Sequence, residues 1–170
     1  MPETNLRARG ADNGPGVGRA CLCFNLRRGA RSITRFYDRC LAPSGLRANQ
    51  FSMLMAAKTK GPVTMTGLAD IVAAERTTLT RNLGILERQG LIRTESGQDR
   101  RERLISITEK GLAALTRARP YWRRAQAAVE GLLGRENATE LLRTLSALTD
   151  SLKAQGLDQE PAKEPAEEDV

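Results

Sequence analysis

Between Thr64 and Gly111 the hydrophobic period of the chain changes from that of a helix to that of a strand, and this change constrains the fold more than any other feature. Leu68, Ala69, Ile71 and Val72 give a short helix one apolar face, with Thr66 as its expected N-cap. The Ala73-Ala74 pair turns the chain into a second helix, on which Leu79, Leu83 and Leu86 stand at i, i+4 and i+7 and must point inward. After Gln89-Gly90 the period becomes two: Ile92, Thr94 and Ser96 alternate with Arg93 and Glu95. Gly97-Gln98-Asp99 supplies turn chemistry, and Arg103, Ile105 and Ile107 alternate again. Helix, helix and basic hairpin in this order predict a mainly α fold with a small antiparallel β-hairpin wing, a winged helix-turn-helix.

The leucine stripe also defines the face opposite to it. At 100° per residue Thr77, Arg81, Gly84 and Arg88 lie across from the leucines, with Thr78 flanking. Threonine hydroxyls and methyls suit base edges in a major groove, an arginine pairs bidentately with guanine, and amides at a helix start attract phosphate. Double-stranded DNA is therefore the expected partner. Gly84 in mid-helix costs about 1 kcal/mol relative to alanine; close approach of a backbone explains it, and a merely tolerated glycine fits as well. An ordinary solvated amphipathic helix has the same pattern, so the hairpin decides. Its tip, Gln98-Asp99-Arg100-Arg101, carries long cations suited to an adjacent minor groove.

These residues resemble the MarR family of bacterial transcriptional regulators. The likeness runs from roughly Ala20 to Leu152 and is strongest in ERTTLTRNLGILERQGLI and DRRERLISITEKG, where Asp-x-Arg precedes a strand and Thr-x-x-Gly. The resemblance implies that Thr77, Thr78 and Arg81 face the major groove, that Asp99 braces Arg101, and that Arg100 or Arg101 enters the minor groove. Glu75 stands where many relatives have Asp and is the poorer cap.

Helical patterns flank this unit. Leu22, Leu26, Ile33 and Tyr37 share a face between Arg19 and Leu41, and Phe51, Leu54 and Met55 are core candidates on a helix opening at Leu46. Thr108 is placed to cap a long helix through Trp122 to about Leu133. A last helix carries Leu141, Leu145, Leu148 and Leu152, a leucine face too long for one copy to cover. The domain reading is a loose segment over residues 1–18 and one domain over 19–155. Within it the winged helix-turn-helix occupies about 48–107, and dimerisation helices about 19–41 and 108–155. An acidic, proline-broken tail over 156–170 is expected to be disordered. A homodimer with recognition helices about 34 Å apart would match half-sites one DNA turn apart, a pseudo-palindromic operator.

Charge agrees with a polyanion partner. The net charge is +7, yet residues from Asp158 onward carry −5, so residues 1–157 carry +12. No stretch has the length to span a bilayer or the apolar core of a signal peptide, so the expectation is a cytoplasmic protein without a membrane partner. Gly14 to Gly18 follow no strand and are not read as a nucleotide loop.

The regulatory input is less sharply encoded. The chain has no histidine, which removes the usual metal ligand and general base, and no metal or other cofactor is expected. Cys21, Cys23 and Cys40 lack zinc-site spacing, and their odd number suits a reducing compartment. Cys23 sits near Arg19, Arg27 and Arg28, which favour a thiolate. The segment is similar to the peroxide-sensing branch of the family, with Tyr37 where a tyrosine would hold the cysteine, but Arg27 and Ala48 stand where other tyrosines of that pattern would be. A small buried packing residue is the alternative role for Cys23. The competing input, implied by the resemblance, is a small aromatic carboxylate in a cleft between the dimerisation helices and the DNA-binding lobe. Arg27, Arg28 and Arg31 are candidates for its clamp, and Phe24, Tyr37 and Phe51 for its walls. Two other classes remain in view. A thiol-dependent enzyme using Cys23 lacks an obvious base, so no enzyme is expected. A non-specific architectural DNA binder is argued against by the mixed charge of residues 73–103, seven arginines against five acids.

Overall fold

The computed structural model of the chain describes residues 20–97 and 102–157. Two compact units are present, Met1–Trp122 and Arg123–Val170. The first holds α1 (Leu22–Leu41), a short 3-10 turn (Ala42–Ser44), α2 (Ala48–Lys60), β1 (Val63–Thr64), α3 (Met65–Val72), α4 (Arg76–Arg88), β2 (Ile92–Ser96), β3 (Arg103–Ile107) and the start of α5 (Glu109–Leu133). The rest of α5 and α6 (Arg135–Ala154) form the second. Within the first unit α3, α4 and the β2–β3 hairpin make a winged helix-turn-helix.

The core of the first unit is built from apolar side chains of its helices, β2 and β3. Leu41, Leu54, Leu68, Leu79, Leu86 and Ile105 are fully buried, and Leu83 and Leu115 nearly so. The leucine stripe of α4 therefore points inward as its spacing requires. Phe51 and Leu54 are also core residues, but Met55, expected beside them, is 39% exposed, and Met53 is buried instead. Ile71 departs from expectation too, being exposed on α3 while Leu68 alone of that helix is fully buried.

The hairpin register is Ile92 opposite Ile107, Thr94 opposite Ile105 and Ser96 opposite Arg103, so the alternating residues do share one face. A third strand was not legible in the period. Val63 and Thr64 pair antiparallel with Ile105 and Leu104, giving sheet order β1-β3-β2. Two residues are too few for an alternation to show. Their pairing also moves the start of α3, because Thr64, and not Thr66, is its N-cap and accepts the Gly67 N–H at 3.0 Å. Ala73 ends α3 in the left-handed conformation, φ 48°, and its neighbour Ala74 donates back to the Ala69 carbonyl.

The terminal helices are bare in comparison. Only Leu41 of α1 is buried, whereas Leu22, Leu26 and Ile33 are exposed. On α6 no residue is buried, and Leu141, Leu148 and Leu152 are exposed. Among the described residues no helix is long and apolar enough to cross a membrane.

Candidate nucleic-acid interface

Helix α4 presents the face that its periodicity predicts. Thr77, Thr78, Arg81 and Arg88 are all exposed, while the leucines one-half turn away are sealed in the core. Among the described residues the Thr77 and Thr78 hydroxyls have no hydrogen-bond partner, and neither Arg81 nor Arg88 forms an ion pair. No bond among the described residues would have to break for these groups to meet an outside partner. Glu75 is the N-cap of α4 but makes no side-chain cap, consistent with its being a poorer cap than Asp. Among the described residues a methyl group at Gly84 would meet only the Arg88 Nη1, at an ordinary 3.5 Å, so none of their backbone requires the glycine.

The wing is held against the end of α4 by one threonine. Thr108 Oγ1 donates to the Gly90 carbonyl at 2.7 Å and accepts the Gly111 N–H at 3.0 Å, and the Thr108 N–H donates to the Leu91 carbonyl at 3.1 Å. Thr108 thus caps α5 and clamps the loop after α4 in the same step. Gly111 completes the clamp, since a Cβ there would overlap the Leu91 carbonyl oxygen and the Ile107 side chain. This is the physical content of the Thr-x-x-Gly pattern. Farther out, the Gly97 N–H donates to the Glu102 carbonyl at 2.8 Å, and Arg93 and Glu95 pair on the exposed side of β2 at 3.1 Å. Asp99, Arg100 and Arg101 of the expected minor-groove contact lie outside the described residues.

A cavity of about 900 Å³ opens elsewhere in the first unit, between α2, α3 and the start of α5. Phe51 and Trp122 stack along one wall, 5.9 Å between ring centroids and 16° apart in plane. Met55, Ile71 and Leu115 add apolar surface, which accounts for the exposure of Met55 and Ile71. Lys58, Lys60 and Arg119 also line it, and among the described residues no acidic one does. Of the ligand residues expected from sequence, Phe51 alone reaches this cavity. Phe24, Arg27, Arg28 and Arg31 are exposed on α1, and Tyr37 lies half-buried edge-on to Phe36 at 6.1 Å. The physical reason is that these α1 side chains point away from the core of the first unit, so the arginines do not converge with Phe51. The cavity cations were missed because they come from helices read only for their apolar faces.

Cys23 is exposed on the first turn of α1 within a single copy of the chain. Its neighbour Cys21 is the N-cap, with Sγ accepting the Phe24 N–H at 3.4 Å. Among the described residues no group of three or more Cys, Asp or Glu side chains is arranged to hold a metal ion.

The MarR family model matches residues 44–102, from the end of the 3-10 turn through the wing. The M. tuberculosis transcriptional regulator MosR, solved in complex with DNA, is 42% identical with a TM-score of 0.71, over 79% of this chain and 97% of its own. The chain belongs to the MarR family. A second MarR-like neighbour is CouR of Rhodococcus jostii RHA1, a transcriptional repressor solved on a 23-mer DNA duplex. It is 28% identical with a TM-score of 0.70, over 81% of this chain and 99% of its own. YwoH of Bacillus subtilis (strain 168), an uncharacterised HTH-type transcriptional regulator, is 32% identical over 89 residues, 52% of this chain and 65% of its own length. The match thus spans less than two-thirds of that curated relative, and 47% of the Bacillus cereus one that is 39% identical. These MarR-family relatives are transcriptional regulators, not enzymes.

Proposed function

We propose that this MarR-family chain is a sequence-specific DNA-binding repressor that acts as a homodimer on a pseudo-palindromic operator and is released by a small aromatic or anionic ligand. The observation that carries the reading is the division of α4 into a sealed leucine face and an exposed face of Thr77, Thr78, Arg81 and Arg88, whose side chains have no hydrogen-bond or ion-pair partner among the described residues. Such a face suits base edges in a major groove, and the proposal assigns Arg100 and Arg101 to the neighbouring minor groove, with Asp99 as the brace of Arg101. The DNA complexes of MosR and CouR support the partner. The uncovered apolar stripes of α1 and α6 support a second copy, since exposed leucines in such number are costly in water.

The ligand half of the proposal moves from the α1 arginines to the cavity. Stacked Phe51 and Trp122 suit an aromatic ring, and Lys58, Lys60 and Arg119 suit its negative charge. CouR has been solved with p-coumaroyl-CoA, an aromatic acyl thioester with several negative charges. A ligand favouring a dimer with the wrong spacing of its α4 helices would draw the population away from DNA.

Fluorescence anisotropy of the reduced protein with a duplex from its own upstream region, against a scrambled duplex at the same salt, tests the reading. Specific binding about a thousandfold tighter is expected. Equal binding to that duplex and to every genomic fragment tried would instead favour an architectural binder. Arg81→Ala should relax base preference, whereas Arg101→Ala should weaken all duplexes and reduce the salt slope by about one. Calorimetric titration with aromatic acids should show saturable heat that Arg119→Ala diminishes.

A further inference from the structure

A chain of polar contacts leads from α1 to the middle of α4. Asp38 Oδ1 on α1 accepts the Ala48 N–H, the first amide of α2, at 2.7 Å. The next residue, Asn49, is held at both ends of its amide: Oδ1 accepts the Gln50 N–H at 2.8 Å, and Nδ2 donates to Asn82 Oδ1 at 2.9 Å across 33 residues of sequence. Asn82 Nδ2 then donates to the Thr78 carbonyl at 2.8 Å. Each side-chain amide uses its oxygen as acceptor and its nitrogen as donor, so neither can flip without losing a bond.

The rest of the grip on α4 is of a different kind. Leu79, Leu83 and Leu86 hold it by apolar burial, which is non-directional and resists separation more than it resists a small roll about the helix axis. A bond between two oriented amides at the edge of the leucine stripe does resist that roll. Asn82 is one turn from Thr78, so a change of roll at Asn82 is a change in the aim of Thr78 and Arg81. We propose that Asn49 and Asn82 are positioning residues that set the rotation of α4, and with it sequence discrimination, without themselves reading bases. The inference rests on the reading of α4 as a DNA-recognition helix.

The test is the ratio of operator affinity to random-duplex affinity, measured by anisotropy at one salt concentration for wild type, Asn49→Ala, Asn82→Ala and the double variant, with thermal midpoints alongside. Loss of a phosphate contact would weaken both duplexes alike, because phosphate contacts carry no sequence information. Loss of positioning should lower the ratio about three- to tenfold in each single variant, the range of one net hydrogen bond, with random-duplex binding unchanged. The double variant should fall no further than either single one, since the same bond is gone in all three. Multiplying losses, equal losses on both duplexes, or an unchanged ratio would overturn the proposal. Should Asn82→Ala lower the thermal midpoint enough to unfold the protein, Asn49→Ala, at an exposed position on the first turn of α2, decides the matter by the same ratio. A wild-type ratio near one would overturn the regulator reading itself; a high wild-type ratio that survives both substitutions would overturn only the positioning role.

Discussion

Helices α4 and α6 carry the same leucine spacing and opposite surroundings. Leu79, Leu83 and Leu86 on α4 are 0%, 5% and 0% exposed, whereas Leu141, Leu148 and Leu152 on α6 are 41%, 38% and 38% exposed. An i, i+4, i+7 pattern states that a helix has an apolar face; it does not state what covers that face. On α4 the cover is the helices and sheet of the same chain. On α6 we propose that it is a second copy, so one repeat builds a core and the other an interface.

The largest test of this contrast is a matched pair of truncations. Leu79→Ala should destabilise the fold by about 2–5 kcal/mol, the cost of a cavity in a closed core. Leu148→Ala should change the stability of dilute, monomeric protein by under about 0.5 kcal/mol. Urea unfolding measures both, and comparable losses would erase the distinction between the two helices. At higher concentration the roles should reverse. Charges introduced by Leu148→Glu with Leu152→Glu should weaken self-association by about a hundredfold or more, read as a shift in mass by light scattering, while the far-ultraviolet circular dichroism of the monomer is retained.

Smaller effects sharpen the picture around each helix. Gly111→Ala forces a methyl group against the Leu91 carbonyl and should cost about 1–3 kcal/mol by overpacking, together with a loss of DNA binding as the wing shifts from α4. A normal thermal midpoint would show that the Thr108 clamp yields easily. On α6, a hydrogen bond from Arg143 holds the Glu140 carboxyl below its ordinary value of 4.5; desolvation opposes it in part, and a hydrogen bond from Thr144 adds a smaller lowering. A depressed carboxyl contributes stability above its unfolded value and loses it as the pH falls through the folded one. Both partners are solvent-exposed and the pair is screened, so the acid-side loss should be the smallest effect here. Arg143→Ala should remove it, and a large change in thermal midpoint at neutral pH would contradict the exposed geometry.

Legibility followed the range of the interactions. The inward leucines of α4, its outward threonines and arginines, the β2–β3 hairpin and the Thr108 cap rest on contacts within a few residues or on a repeated period, and these are written in order along the chain. Strand β1 was hidden because a two-residue strand has no period, and Thr64 became a cap only once that strand was paired to β3. Met55 and Ile71 look like core residues by spacing, yet they face the cavity with Phe51 and Trp122. The α1 arginines were grouped with Phe51 because sequence cannot state which helix faces converge.

What the sequence alone determined is the inventory of elements and the chemistry of each face, since hydrophobic period, caps and turn residues act locally. The tertiary structure decided which faces close on one another. It brought Asn49 to Asn82 and placed Lys58, Lys60 and Arg119 around one cavity. Those outcomes depend on contacts between residues distant in the chain, and the energy of such a contact is a property of the pair in space that neither residue carries by itself.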